Sequence, residues 1–356
     1  MAESNSYQTP ANSAPEAKGQ PGLPLSRWES GTAPSIPTVD DQDNHSDTGS
    51  AIDGMSTVTS TTSLRSSIYE HVEENGRTYH RFRQGKYVLP NDEQEQERLD
   101  IQHALFNFAL GRLHLSPIGP KPQNVLDIAT GTGNWAIDFA EQYPSAQVLG
   151  TDLSAIQPLH VPPNCRFEID DAEDDWIFNE QFDYIHGRAL LSCFKDPKSV
   201  FQKAYNSLTP GGYFEMQDMV WPFQYMGDPP TESALYKWMQ TINEGAIQLG
   251  RPWNNVPHYK RWFEELGFQD VVEKKYYFPL NAWAKGKFYK EMSVYAQTDL
   301  LNGLEGLSLK VLGAMGWTPE QVKAYLPAVR DDVKNTKTHC YAPVLVVYGR
   351  KPVGQA

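Results

Sequence analysis

The 356-residue sequence lacks the features that mark membrane and secreted proteins. Its apolar runs fall far short of the roughly 20 residues that a membrane-spanning helix needs, and the Ser- and Pro-rich N-terminus has no apolar signal core. The three cysteines, Cys165, Cys193 and Cys340, are odd in number and widely spaced, which argues against a disulfide framework. We therefore expect a soluble intracellular protein, cytoplasmic or nuclear, with free thiols and no membrane contact.

Positive charge is also scarce. The chain has 31 Lys and Arg against 44 Asp and Glu, a net charge of −13, whereas direct binding of nucleic acid needs a basic surface. Its nine histidines are scattered, and no His or Cys pair stands at ligand spacing beside a matching partner, so no metal site is predicted. Neutral or cationic partners fit this composition better.

Residues 1–66 have too little apolar material to form a core. They contain 20 Ser or Thr, six Pro and few aromatic residues. Such a segment cannot offset its ordering entropy by burying apolar surface. We expect a disordered tail, either a plain solvated extension or a docking segment controlled by phosphorylation.

Residues 125–135 predict a buried strand that turns through Gly131 and Gly133 directly into a helix. The free N–H groups at the start of that helix would point at a ligand above the turn. A nucleotide-type ligand is the first hypothesis. Because the spacing also satisfies a Gly-x-Gly-x-x-Ala template, a dinucleotide oxidoreductase has to be considered.

Strands and helices alternate through the middle of the chain. Strands are predicted at 125–129, 147–152, 166–170, 182–188 and 213–218, and a last strand at 342–350 follows a long helical excursion. Alternation of this kind is typical of an α/β protein whose parallel sheet has right-handed crossovers and binds its ligand at the carboxyl edge.

Acidic residues stand where these strands end. Asp127 lies four residues before Gly131, where a carboxylate could hold an amino group, and Asp152 ends the second strand 21 positions beyond Gly131, where an acid accepts ribose hydroxyls. Asp171 follows the third strand and could accept from the amino group of a purine. An ammonium, a ribose and an adenine at successive strand ends describe S-adenosylmethionine (SAM), and NAD(P) remains the alternative.

The chain resembles the class I SAM-dependent methyltransferases and, more narrowly, the fungal LaeA-like family. The narrower likeness rests on residues 73–80 (Glu-Glu-Asn-Gly-Arg-Thr-Tyr-His), 89–100 (Leu-Pro-Asn-Asp-Glu-Gln-Glu-Gln-Glu-Arg-Leu-Asp) and 126–135. It extends from about residue 69 to residue 352. The resemblance implies a Rossmann-like mixed sheet of seven strands in the order 3-2-1-4-5-7-6, with strand 7 antiparallel and helices on both faces.

The domain organisation follows from the same likeness. Residues 67–115 would form an N-terminal lid segment with a helix, for which Asn91 and Gln94 predict a capping box. Residues 116–356 would form the SAM-binding domain, with a helical insertion at about 282–333.

The resemblance also implies which residues hold SAM. The methionine end would lie against Asp127 and the loop that follows it, the ribose against the end of the second strand, and the adenine against the end of the third. These residues are Asp127, Ala129, Gly131, Gly133, Asp152, Leu153, Asp171 and Ala172. Ala129 departs from the family, since many methyltransferases have Gly at this position.

Three lid residues and one strand end supply further candidates. Tyr79, Tyr87 and Arg98 could reach the cofactor from the lid, with ordinary packing and surface pairing as the equal alternative. His186 is the candidate general base if the methyl acceptor is a hydroxyl, because its ordinary pKa lies near working pH. A structural histidine that helps to seat SAM is the competing interpretation.

Three more residues are candidates for the substrate site. Arg188 could position an anionic substrate group, although a salt bridge to a loop carboxylate is the alternative. Trp221 and Tyr225 could form the wall of an apolar acceptor site or pack beneath the C-terminal helices.

We expect a SAM-dependent methyltransferase connected with fungal secondary metabolism, either as a regulator or as a tailoring enzyme. Its methyl acceptor would be a small molecule or a protein, and a regulator would also have protein partners. One alternative is a SAM-binding regulatory scaffold with little or no catalysis. The remote alternative is an NAD(P)-dependent oxidoreductase.

Overall fold

The computed structural model describes residues 70–354, so the predicted tail at 1–66 lies outside the described residues. A two-stranded hairpin comes first and is separate from the central sheet. Its strands are β1 (His71–Glu74) and β2 (Arg77–His80). The central sheet contains β3 (Asn124–Ile128), β4 (Gln147–Asp152), β5 (Cys165–Ile169), β6 (Phe182–Arg188), β7 (Leu208–Met219), β8 (Gln224–Tyr225), β9 (Gln269–Pro279) and β10 (Cys340–Arg350).

The strand order confirms the expected architecture with one addition. β5, β4, β3, β6, β7 and β10 are successive neighbours, and β9 pairs with the other edge of β10. Strands β3 to β7 are parallel, and β10 is antiparallel to its partners. The expected count of seven strands is one too low. β10 extends beyond its last pair with β7, and the short β8 occupies that free edge at Cys340 and Tyr341.

Seven helices accompany the strands in the described part of the chain. They are α1 (Glu93–Leu110), α2 (Asn134–Gln142), α3 (Pro197–Ser207), α4 (Ala234–Gln248), α5 (Tyr259–Glu265), α6 (Lys287–Gly313) and α7 (Pro319–Lys334). Helices α6 and α7 lie between β9 and β10 in the chain, and α6 packs against α1. Of the helices within 70–354, none combines the length and apolar character required to cross a bilayer.

Alternate residues of the central strands cover opposite faces of the sheet. Val125 and Tyr184 pack against α2 on one face, whereas Leu126, Ile185 and Phe214 pack against α3 and α5 on the other. This alternation is the period of two that a strand imposes on its side chains. Helices thus cover both faces of the sheet, and the carboxyl ends of β3 to β6 lie at its edge.

Helix α1 begins one residue later than predicted. The N-cap is Asp92, whose Oδ1 accepts from the Glu95 N–H at 3.1 Å, so the predicted capping box at Asn91 is wrong. Tertiary contacts decide the position. Asn91 hydrogen-bonds to Thr78, and the Asp92 carboxylate forms an ion pair with Arg77 at 2.6 Å. These contacts attach the hairpin to the start of α1.

Candidate active site

The turn from β3 to α2 adopts left-handed backbone conformations that favour glycine. Gly131 has φ of 60° and Gly133 has φ of 83°. A Cβ on Gly133 would lie 2.4 Å from the ring of Phe167, which is closer than atoms can pack. Ala129 has φ of 50°, so the residue that departs from the family also holds a left-handed conformation, at a cost of about 1 kcal/mol.

A cavity lies above this turn, at the carboxyl ends of β3, β4, β5 and β6. Its volume, including the open mouth, is about 1120 Å³. Most of the residues predicted for the cofactor and the catalytic group line it. They are Asp127, Ala129, Gly131, Asp152, Leu153, Asp171, Ala172 and His186, together with Arg188. We call this the cofactor cavity.

Asp152 ties the end of β4 to the glycine turn. Its Oδ2 accepts from the Gly131 N–H at 2.9 Å, and its Oδ1 accepts from the Ser154 N–H at 2.8 Å. Burial raises the pKa of the Asp152 carboxyl to about 6. The two backbone hydrogen bonds hold the carboxylate in place. A ligand that donated another hydrogen bond to it would favour its ionised form.

Asp127 is held by the chain on both of its oxygens. Oδ1 lies 2.7 Å from His186 Nδ1, and Oδ2 accepts from the Thr130 hydroxyl. The His186 ring stacks on Trp135, with centroids 3.7 Å apart. His186 Nε2 is buried and has no hydrogen-bond partner among residues 70–354. This geometry favours the interpretation of His186 as a structural residue that orients Asp127.

Arg188 reaches the cofactor cavity without a carboxylate partner. Its Nη2 donates to His103 Nδ1 at 2.6 Å, and its guanidinium lies 5.3 Å from the Phe106 ring centroid. Since the structure shows no ion pair of Arg188 within residues 70–354, the predicted alternative of a loop salt bridge is wrong. Burial lowers the pKa of Arg188 to about 10, so it keeps its charge at neutral pH. The Arg188 guanidinium could therefore form an ion pair with an anionic group of a ligand in the cavity.

Residues of the segment predicted to be an N-terminal lid form one wall of the cofactor cavity. Tyr87, one of the candidates from that segment, lines the cavity, and so do Leu99 and His103, which were not predicted to face the cofactor. Lys86 also lines it and forms an ion pair with Asp171 at the end of β5. That ion pair joins the lid to the sheet edge. No charge pattern in the sequence distinguishes Lys86 from other surface lysines.

Comparison with known proteins identifies the family. A family profile described as a methyltransferase domain matches residues 101–273. Methyltransferase pytC of Aspergillus terreus is 33% identical over 302 residues, covering 84% of this chain and 93% of pytC. The secondary metabolism regulator laeA of Aspergillus fumigatus is 32% identical over 309 residues, covering 84% and 82% of the two chains. The chain belongs to the LaeA-like methyltransferases.

Family membership decides between the two cofactor classes. The protein is a SAM-dependent methyltransferase, and the NAD(P) interpretation is dropped. Among solved structures, phosphoethanolamine N-methyltransferase 2 of Haemonchus contortus aligns with 16% identity and a TM-score of 0.41. That alignment covers 72% of this chain and 52% of the nematode enzyme.

The donors and acceptors of the cofactor cavity fit SAM chemically. Carboxylates suit the hydroxyls and amino groups of the cofactor, and the Arg188 guanidinium suits its carboxylate. In the part of the chain from 70 to 354, no three His, Cys, Asp or Glu side chains are grouped so that they could hold a metal ion.

A second cavity of this methyltransferase lies beside the first and is mainly apolar. Its volume, including its mouth, is about 780 Å³. We call it the apolar cavity. Two tryptophans, Trp221 and Trp253, contribute to its walls together with Phe278. Tyr225 belongs to β8 and does not line either cavity.

A buried ion triad separates the two cavities. Arg98 Nη2 lies 2.7 Å from Glu95 Oε1, and Arg98 Nη1 lies 2.7 Å from Asp299 Oδ1. Glu95 lines the cofactor cavity, whereas Arg98 and Asp299 line the apolar cavity. Burial raises the pKa of both carboxyls. Of the two interpretations of Arg98, contact with the cofactor or ordinary packing and pairing, the ion pairs favour the second, in the wall between the cavities.

Tyr79 is also placed away from the cofactor cavity. It is buried, and the Lys310 ammonium of α6 lies 3.5 Å from its ring centroid. Burial raises the pKa of its hydroxyl to about 12. The contact with α6 could not be foreseen, because Lys310 is more than 200 positions away in the chain.

Proposed function

We propose that this protein is a catalytically active methyltransferase of fungal secondary metabolism that works mainly by positioning its reactants. The observation that carries the proposal is the composition of one cavity. It gathers three carboxylates from successive strand ends, Asp127, Asp152 and Asp171, and a cation without a carboxylate partner, Arg188.

Each of these groups has a role that matches its chemistry. Asp152 would accept hydrogen bonds from the ribose hydroxyls, and Asp171 would accept one from the adenine amino group. Asp127 would hold the ammonium of the methionine end. Arg188 would bind the carboxylate at the same end, where a charge-assisted hydrogen bond is strongest.

When bound, SAM supplies a methyl group that its sulfonium has already activated. The chain's part is then to align the acceptor and exclude water, which requires no dedicated base. His186 keeps Asp127 oriented through the 2.7 Å contact of its Nδ1.

Calorimetric titration with SAM and with S-adenosylhomocysteine (SAH) tests the cofactor assignment. Both ligands should bind the wild-type protein. Asp152→Ala should weaken binding roughly 10- to 100-fold, because a hydrogen bond to a charged group contributes about 1.5–3 kcal/mol. Glu168→Ala is the matched control, since Glu168 lies on the neighbouring strand β5 and is exposed. Failure of folded wild-type protein to bind either ligand would overturn the proposal.

A regulatory scaffold that binds SAM without using it is the second candidate. The similarity to laeA, whose name describes a regulator of secondary metabolism, favours it. Such a protein would act in the nucleus or the cytoplasm through protein partners. Incubation with methyl-labelled SAM and fractionated fungal extract separates the candidates. Steady SAH production with label in a small-molecule or protein pool supports catalysis, and binding without SAH production supports the scaffold.

A further inference from the structure

We propose that the apolar cavity is the methyl-acceptor site and that it takes a flat, uncharged, largely apolar small molecule. The inference rests on the proposed catalytic function and specifies its substrate class. Both tailoring of a metabolite and methylation of a protein are compatible with the family. The cavity favours the first.

The position of the apolar cavity is the first argument. It shares the side chains of Tyr87, Leu99 and Gln102 and the residue Ala189 with the cofactor cavity. Methyl transfer requires the accepting atom to lie in contact with the methyl group. A ligand in the apolar cavity would meet the cofactor across this shared boundary.

The size and the walls of the apolar cavity are the second argument. About 780 Å³ lies within the range of sites for small organic ligands, roughly 300–1,000 Å³. Trp221 and Trp253 meet edge to face with ring centroids 5.2 Å apart, and Phe278 and Leu300 are buried beside them. Aromatic walls of this kind favour a flat ring system.

The charges of the apolar cavity are the third argument. Among the described residues, Arg98 and Asp299 are the charged side chains in its lining. The Asp299 carboxylate forms an ion pair with Arg98 at 2.7 Å and also accepts from the Gln102 amide at 3.4 Å. The lining therefore offers no unpaired carboxylate to the ammonium of a lysine, and burial of an ammonium without a partner costs free energy. An uncharged ligand avoids that cost.

Two uncharged polar side chains of the wall lie at the boundary with the cofactor cavity. Tyr87 and Gln102 line both cavities, whereas Trp221, Phe278 and Leu300 line the apolar cavity alone. This difference between the two ends of the cavity would orient the ligand. Its polar substituent, which bears the accepting atom, lies towards Tyr87, and its apolar body lies among the aromatic residues.

Binding of 2-naphthol, a flat aromatic alcohol, tests the inference by calorimetry on the full-length protein saturated with SAH. The wild type should bind 2-naphthol. Ala296→Phe fills the apolar cavity from α6 and should weaken this binding at least tenfold while SAH binding is retained. Val294→Phe is the matched control, because Val294 lies on the same helix and is exposed. Its binding of both ligands should equal that of the wild type.

Ala342→Leu supplies a second filled variant from β10, on a different wall. Absence of SAH binding would show that Ala296→Phe does not fold. In that case Ala342→Leu replaces it in the comparison with the wild type. Unchanged 2-naphthol binding in a folded filled variant, or no binding by wild-type protein that binds SAH, would overturn the inference alone. Absence of SAH binding by the wild type would instead overturn the proposed function.

Extract labelling gives an independent readout of the substrate class. With methyl-labelled SAM, label should enter the small-molecule pool with wild type and Val294→Phe. It should fall at least tenfold with a filled variant that still binds SAH. Label in the protein pool that the filled variants leave unchanged would contradict the assignment.

Discussion

The two cavities of this methyltransferase are built in different ways. The cofactor cavity takes the three carboxylates assigned to the cofactor from the ends of β3 and β4 and from the segment after β5, between residues 127 and 171. The apolar cavity takes its walls from α1, α6, β9 and β10, and from the segments after β7 and α4, between residues 87 and 342. The first depends on strand ends that any parallel sheet brings together. The second depends on how distant segments pack, so it can change shape while the cofactor cavity is kept.

The triad between the cavities belongs to both, and breaking it should have the largest effect. Arg98→Met leaves Glu95 and Asp299 buried without a cation. The free energy of unfolding should fall by about 3–5 kcal/mol in urea denaturation at neutral pH. Lys237→Met is the control, because the Lys237–Glu232 pair is exposed to solvent and its loss should leave the free energy of unfolding nearly unchanged.

The pH dependence of this loss identifies its cause. Burial already raises the pKa of both carboxyls, and removal of Arg98 raises it further. The penalty of Arg98→Met is therefore complete above the folded-state pKa values and falls as the pH drops through them, when the carboxyls take up protons. An equal loss of stability at pH 5 and pH 8 would contradict uncompensated charge as the reason.

A substitution in the turn beneath the cofactor cavity sharpens the contrast between the cavities. Gly133→Ala puts a Cβ against the Phe167 ring in a left-handed backbone conformation. We expect a loss of about 2–4 kcal/mol in stability from overpacking and backbone strain, together with weakened SAH binding. Binding of 2-naphthol should persist in the fraction that remains folded.

Gly313→Ala is the control for this substitution. Gly313 ends α6, and a Cβ there would meet no atom within 4 Å. Its stability should stay within about 0.5 kcal/mol of the wild type. If both glycine variants had the same stability, the contact with Phe167 would have no structural importance.

The smallest predicted effect is a proton released when the cofactor binds. The pKa of Asp152 is about 6 in the free protein, and ribose hydroxyls would favour its ionised form. SAH affinity should therefore fall as the pH drops from 7 to 5, by up to about tenfold per pH unit below 6. Calorimetry at pH 6 in two buffers of different ionisation enthalpy measures the number of protons released when SAH binds.

Asp152→Asn separates this effect from the titration of other groups. The variant has no carboxyl at this position, so its SAH affinity should be nearly constant between pH 5 and pH 7. The same pH dependence in the wild type and in Asp152→Asn would assign the proton to another group, such as His103.

Much of the fold was predictable because its signals are local. The strands predicted at 147–152 and 182–188 have the same bounds as β4 and β6. The predicted strand order is confirmed except for β8, a pair of residues without a sequence signal of its own. The N-cap of α1 was misplaced because Asn91 and Asp92 are equally good caps in sequence. Contacts with Thr78 and Arg77 in β2 decide between them.

The carboxylates of the cofactor cavity were determined by the sequence alone, because each stands at the end of a strand and parallel strands bring their carboxyl ends to one edge. Tertiary structure alone decided the role of Arg98. Its partner Asp299 lies 201 positions away. The two meet because α6 packs against α1, and apolar contacts between such distant helices are too unspecific in sequence to predict which side chains will face each other.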